Sequence, residues 1–309
     1  YMFWGALNFN KDIGDWDVSS VTTMRVMFYG AENFNQDIGD WDVSSVTDME
    51  YMFYVTDDLS DDNKCAIHTS FSSNENWPYD WDEYCSSQYF QPETRDELKT
   101  AVDEWIEDPE SAESTYGEIN TWDTSLIPDM SYLFFNNQTF NDDISAWDVS
   151  SVTNMHAMFS NASNFNGDIS AWDVSSADNM KYMFSQANSF NQDISSWDVS
   201  NVNDMNFMFN EAESFNQDLS DWDVSSVTYT NGMFSYAESF NQDLSDWDVS
   251  SVTHMSAMFA GANSFNGNIS AWDVSNVYDM SFMFNEAESF NGDISAWDVS
   301  SVTNMHAMF

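Results

Sequence analysis

Carboxylates recur along this chain at a fixed step. Asp123, Asp148, Asp173, Asp198, Asp223, Asp248, Asp273 and Asp298 each follow a tryptophan, 25 residues apart. A second row, Asp143, Asp168, Asp193, Asp218, Asp243 and Asp293, follows a repeated Phe-Asn pair and is broken by Asn268. Stacked carboxylate oxygens suit a hard cation, so Asp148, Asp173, Asp198, Asp223, Asp248, Asp273 and Asp298 are candidate Ca²⁺ ligands. The competing reading is solvated side chains that bond their own turns and gather a diffuse cation cloud. Neither an EF-hand loop nor a GGxGxD repeat accompanies them. Carboxylate pairs also serve glycosidases. An active site is a single exception, however, and these rows are uniform, so no catalytic residue is assigned.

Other groups carry weaker chemistry. Cys65 and Cys85 are the only cysteines, and a disulfide between them would imply an oxidising compartment. Asn137, Asn161 and Asn268 open N-x-Ser/Thr triplets and are candidate glycosylation sites. Asn141, Asn166, Asn191, Asn216, Asn241, Asn266 and Asn291 form a row expected to face inward, its amides bonding loop backbone. His68, His156, His254 and His306 lack metal-ligand spacing and are read as solvent-facing. The methionine pairs, such as Met155/Met158 and Met180/Met183, have the spacing of a core face rather than a copper site. No nucleophile-elbow motif is present.

These residues must be positioned by a repeat. Trp147, Trp172, Trp197, Trp222, Trp247, Trp272 and Trp297 mark coils of 25 residues, and a fixed period of this length indicates a solenoid whose neighbouring coils share one core. In Ile169-Ser-Ala-Trp172-Asp173-Val174, alternation predicts a short strand. Met180, Met183, Phe184 and Ala187 fall at i, i+3, i+4, i+7, which predicts a short helix. The expected fold class is therefore an α/β solenoid, a right-handed leucine-rich-repeat-like coil with a parallel β-sheet on one face and short helices on the other. Ala177 and Thr230-Asn231-Gly232 depart from the consensus, and looser packing is expected there.

Four segments follow from the pattern. Residues 1–56 end a first repeat array and 57–92 form an irregular cap with both cysteines. Residues 93–116 hold a capping helix and linker. Thr94 and Glu97 make a capping box, Leu98, Ala101, Val102, Trp105 and Ile106 share a face, and Asp108-Pro109 ends the helix. Residues 117–309 form a second array of eight coils. The opening YMFWGA aligns with YMFYVT at 51–56 and the closing HAMF is mid-coil, so the sequence reads as an excerpt with open coils at both ends. End-to-end contacts between open coils would build filaments.

Asp and Glu number 53 against 6 Lys and Arg, a formal charge of −47, which opposes binding to phosphate backbones and anionic membranes. No apolar run is long enough to cross a bilayer.

The strings WDVSSVTNMHAMF and FNQDISSWDVSNV resemble the BspA-like leucine-rich-repeat surface proteins, in particular the branch with the 25-residue repeat of mycoplasma surface lipoproteins. The resemblance covers about residues 1–56 and 117–309. The stretch TRDELKTAVDEWIEDPESAESTYGEINTWDTS is similar to the module that begins such arrays in microbial eukaryotes. The resemblance implies an extracellular or cell-surface location and roles in adhesion, aggregation or host contact. It carries no catalytic motif. The expected function is thus a non-enzymatic adhesion module or fibre segment that meets a protein or glycan partner, with Ca²⁺ as a bridging ion. Carbohydrate recognition by the Trp and Tyr residues of 77–89 is the alternative.

Overall fold

The computed structural model describes residues 2–85 and 90–309, apart from the Glu83 side chain. It divides into two compact units, Tyr1–Tyr89 and Phe90–Phe309.

In the second unit the chain winds in coils that stack every 25 residues. One coil shows the construction. Backbone N–H groups of Trp172, Ala177, Met183, Ser185, Ala187 and Phe190 donate to the carbonyls of Ile169, Val174, Met180, Tyr182, Phe184 and Ala187, at 2.9–3.2 Å. Each is an i to i+3 bond, so the coil is a closed sequence of β-turns. The intervening N–H groups point to the next coil. Met180, Tyr182, Phe184 and Gln186 donate to the carbonyls of Asp204, Asn206, Met208 and Asn210 at 3.1, 2.9, 2.9 and 2.7 Å. This alternation needs left-handed backbone at two sites per coil, φ +58° at Tyr182 and +61° at Gln186. The same pair of sites recurs along the array, for example at Phe207 and Glu211 or at Ala257 and Gly261. A non-glycine residue there costs about 1–2 kcal/mol, which coil stacking must offset.

The expected α/β solenoid is therefore corrected. Among the described residues there is no β-strand, and no α-helix lies within the coils. Parallel pairing is one residue wide, through Asp129, Asn154, Asn179, Asp204, Tyr229, His254, Asp279 and Asn304. The physical reasons are local. Trp172 and Val174 are buried on either side of exposed Asp173, but Ser170-Ala171 and Ser175-Ser176 turn the chain at both ends. Met180, Met183, Phe184 and Ala187 all face the core, as a helix would require. Consecutive β-turns deliver the same inward set, and a residue at φ +58° cannot continue a helix.

The core is a set of ladders. Each coil's tryptophan is buried, and its indole Nε1 donates to the carbonyl of the Ile or Leu 28 residues earlier, at 2.7–3.2 Å from Trp147 to Trp297. Phenylalanine rings stack along two columns, Phe159 on Phe184 at 5.6 Å and Phe165 on Phe190 at 5.9 Å. The columns also touch within a coil, Phe159 to Phe165 at 4.0 Å. Such pairs contribute about 0.5–1.5 kcal/mol each beyond their buried area. In the two divergent coils Ala177 is buried and Thr230, also buried, occupies the methionine slot, its hydroxyl donating to the His254 carbonyl at 3.2 Å.

Helix α3 (Arg95–Glu107) closes the first coil of this unit. Thr94 and Glu97 form the capping box, and Leu98, Ala101, Val102 and Trp105 are buried. The Trp105 ring meets Trp122 edge-on at 5.9 Å, and its Nε1 donates to Asp142 at 2.8 Å. Beyond it the expected linker is helical. Asp108 caps α4 (Pro109–Tyr116), with Pro109 in the first turn where its missing N–H costs nothing.

The first unit holds coils built in the same way, with Phe3, Phe28 and Phe53 stacked at 5.3 and 5.5 Å. Its expected irregular cap contains α1 (Asp61–Phe71), capped by Ser60 and acidic in its first turn, and the short α2 (Asp82–Cys85). A disulfide joins Cys65 to Cys85, with Cα atoms 4.9 Å apart. Trp77, Tyr79 and Trp81 surround Phe53 at 6.2, 6.0 and 5.5 Å, and the Tyr79 hydroxyl accepts the Phe53 N–H at 2.8 Å.

Candidate functional site

The carboxylate rows are turn caps. In Asp148, Asp173, Asp198, Asp223, Asp248, Asp273 and Asp298, Oδ1 accepts the backbone N–H of the serine two residues on, at 2.9–3.1 Å. Asp123 does the same to Ser125. The second row repeats the device, and Asn268 serves equally well because its Oδ1 accepts from Ser270 at 3.1 Å. Bonds from Ser175, Ser225, Ser275 and Ser300, hydroxyl first and backbone N–H second, hold Asp173, Asp223, Asp273 and Asp298 below the usual carboxylate range. One oxygen of each carboxylate is thus committed to its own turn. Among the described residues no three or more His, Cys, Asp or Glu side chains converge on a point that could hold a metal ion.

The asparagine row bonds coil to coil, though not from the interior. Oδ1 of Asn141, Asn166, Asn191, Asn216, Asn241 and Asn266 accepts the N–H of the asparagine in the following coil at 2.7–2.9 Å, and most of the row is exposed. The three glycosylation candidates differ. Asn137 Nδ2 is buried, and Asn161 Nδ2 donates to Asn136 at 2.8 Å. Asn268 is exposed, and its turn uses only the oxygen.

Of the four histidines His306 is exposed, as expected, and His254 is half-buried, whereas His68 and His156 depart further from the solvent-facing reading. His68 is buried between Trp77 Nε1, which donates to Nδ1 at 2.9 Å, and Asp82 at 2.8 Å from Nε2. His156 is half-buried with Nε2 2.7 Å from the Tyr132 hydroxyl. Burial, then Lys181, holds it below the ordinary histidine value. Trp77, Tyr79, Trp81 and Tyr84 are half-buried in the cap rather than open for stacking, and Tyr89 lies outside the described residues.

The surface that changes from coil to coil is the strip carrying the forward-pointing N–H groups. Its bridge column runs Asp129, Asn154, Asn179, Asp204, Tyr229, His254, Asp279, Asn304. Three residues on, Tyr132, Ala157, Tyr182, Phe207, Gly232, Ala257, Phe282 and Ala307 all sit at positive φ. Tyr132, Phe135, Tyr229, Tyr236, Tyr278 and Phe282 are exposed here. Sequence reasoning assigned these sites to the variable positions of a helix and gave them no role. The signal is the contrast itself, with aspartate unvarying after every coil-marking tryptophan from Trp122 to Trp297 and almost any residue allowed on the strip.

A stack of turn-built coils with one uniform and one variable surface defines a repeat protein. The chain belongs to the family described as "Mycoplasma protein of unknown function, DUF285", whose model matches residues 1–77, 108–222, 178–262 and 243–309. No curated protein and no solved structure matches the chain.

Proposed function

We propose that the chain is a segment of a surface-exposed repeat protein whose coils hold a variable strip against a macromolecular partner, in adhesion or in a surface fibre. One observation carries this reading. Differences between coils concentrate on the strip, whereas the core ladders and the turn-capping rows repeat almost unchanged. A scaffold that holds everything constant except one rigid, aromatic-rich face is suited to recognition. The Cys65–Cys85 disulfide supports an oxidising setting. The likeness of WDVSSVTNMHAMF to BspA-like surface proteins supports adhesion as the role. The coils that carry the strip also carry the rows of carboxylates, and this negative charge favours cations and basic partners over anionic ones.

The test is antibody staining of intact cells that make the protein. Staining before permeabilisation is expected, together with loss of cell or bead attachment when recombinant protein competes. Staining seen only after permeabilisation would reject the surface reading.

A further inference from the structure

The chain's own cations show what the strip accepts. Arg25 lies 5.6 Å over the ring of Tyr51 and pairs with Asp48 at 3.6 Å and with Glu50, all three in the following coil. Lys181 stands at the same place in its coil, nine residues after the tryptophan, and lies 5.5 Å over Tyr182. Ser256 is the equivalent residue after Trp247. The coil after it supplies Asp279 where the first unit has Asp48, Phe282 where it has Tyr51, and Ser281 where it has Glu50. The Ser256 hydroxyl reaches only Ser281, at 3.0 Å from its Oγ and 3.1 Å from its carbonyl.

Phe282 is 40% exposed; elsewhere on the strip Tyr229 and Tyr278, 40% and 50% exposed, flank His254 at ring distances of 5.5 and 6.4 Å. No Lys or Arg occurs between residues 182 and 309. Asp279 accepts the Ser281 N–H at 2.8 Å and the Phe282 ring meets His306 edge-on at 5.2 Å, but neither has a Lys or Arg to match it. A guanidinium is the group that both a carboxylate and an aromatic face attract.

We propose that the strip around Asp279, Phe282, Tyr278 and Tyr229 docks an arginine- or lysine-bearing segment of a partner protein, the partner's cation taking the place that Arg25 takes in the first unit. Charge complementarity selects this occupant over a glycan or an acidic peptide, because the strip lies within an array carrying many uncompensated carboxylates. The proposal names the partner chemistry of the binding reading above. It is tested in solution, independently of where the protein resides.

The probe is hexa-arginine peptide, titrated calorimetrically into the full chain at physiological salt. The double variant Asp279→Asn/Phe282→Ala is expected to weaken binding about three- to thirtyfold, the combined range of an exposed ion pair and a cation–π contact. Asn can keep the turn cap, and alanine already occupies the Phe282 position at Ala257 and Ala307, so both changes suit the fold. Ser256→Arg should weaken binding to a similar extent by supplying the cation from within. Asp248→Asn, which removes the same charge from the turn-capping row, should change affinity by less than about twofold. Equal weakening by Asp248→Asn would reduce the effect to diffuse charge and overturn the proposal. So would unchanged binding in both strip variants.

Discussion

Gly232 occupies a left-handed site, φ +57°, and a methyl group there would collide with the Phe207 ring of the preceding coil. Gly232→Ala should destabilise the array by about 1–3 kcal/mol, the usual range for overpacking. Phe207→Ala in the same chain should recover most of that loss, and thermal melting of the two variants decides the matter. The turn-capping aspartates permit a second prediction. Their folded values are lowered, so their contribution is complete above the ordinary aspartate value of about 3.9 and is lost as pH falls through the lowered ones. At high salt, where mutual repulsion is screened, the melting midpoint should hold down to about pH 4 and then fall as pH drops through the lowered values. Asp223→Ala should lower the midpoint at neutral pH and lose this acid sensitivity locally. Asp223→Asn should leave the midpoint near its starting value, as Asn268 does naturally in the companion row. A midpoint that holds down to pH 3 would separate these hydrogen bonds from stability.

At the scale of elements, the disulfide ties α1 to α2 across 20 residues of chain. Cys65→Ala/Cys85→Ala should reduce hydrogen-exchange protection over 61–85 by up to about 3 kcal/mol, leaving 90–309 unaffected. Equal loss in both units would contradict their separation. Helix α3 was legible in the sequence because a capping box and a single apolar face specify a helix and little else. The period and the inward-facing residues were legible for the same reason, since tryptophan, methionine and phenylalanine at fixed places need a common interior. The conformation of the coil was not. The i, i+3, i+4, i+7 spacing of Met180, Met183, Phe184 and Ala187 satisfies a helix and a run of β-turns alike. Only backbone sign at Tyr182 and Gln186 tells them apart, and neither residue type announces positive φ. Helix α1 escaped notice because its apolar positions, Cys65, Ile67 and Phe71, are few and mixed with polar residues. The strip was visible as variation, but its exposure depended on the turns that the pattern concealed.

Across the second array, the period acts as a length standard. From Trp147 onward each coil tryptophan must meet a carbonyl 28 residues back, and the forward-pointing N–H groups carbonyls in the next coil. Excising 198–222, one full period of 25 residues, should leave a folded, shorter array with an unchanged circular dichroism spectrum per residue. Excising 198–221 removes one residue fewer and should disrupt the stack from that point, seen as red-shifted tryptophan emission. Equal tolerance of both deletions would mean that register is not what the ladders enforce. In the coil of Trp172 four strip amides point forward, at Met180, Tyr182, Phe184 and Gln186, against two that point back, at Asp178 and Asn179, so their dipoles leave a net sum, as peptide dipoles do along a helix. The coil stack is therefore an electrical arrow, with carbonyls directed to its tail and amides to its tip. Nature's choice of end-fittings agrees: the Arg95 guanidinium donates to the Ser131 carbonyl at the tail of the second unit, and the Tyr79 oxygen receives the Phe53 amide at the tip of the first.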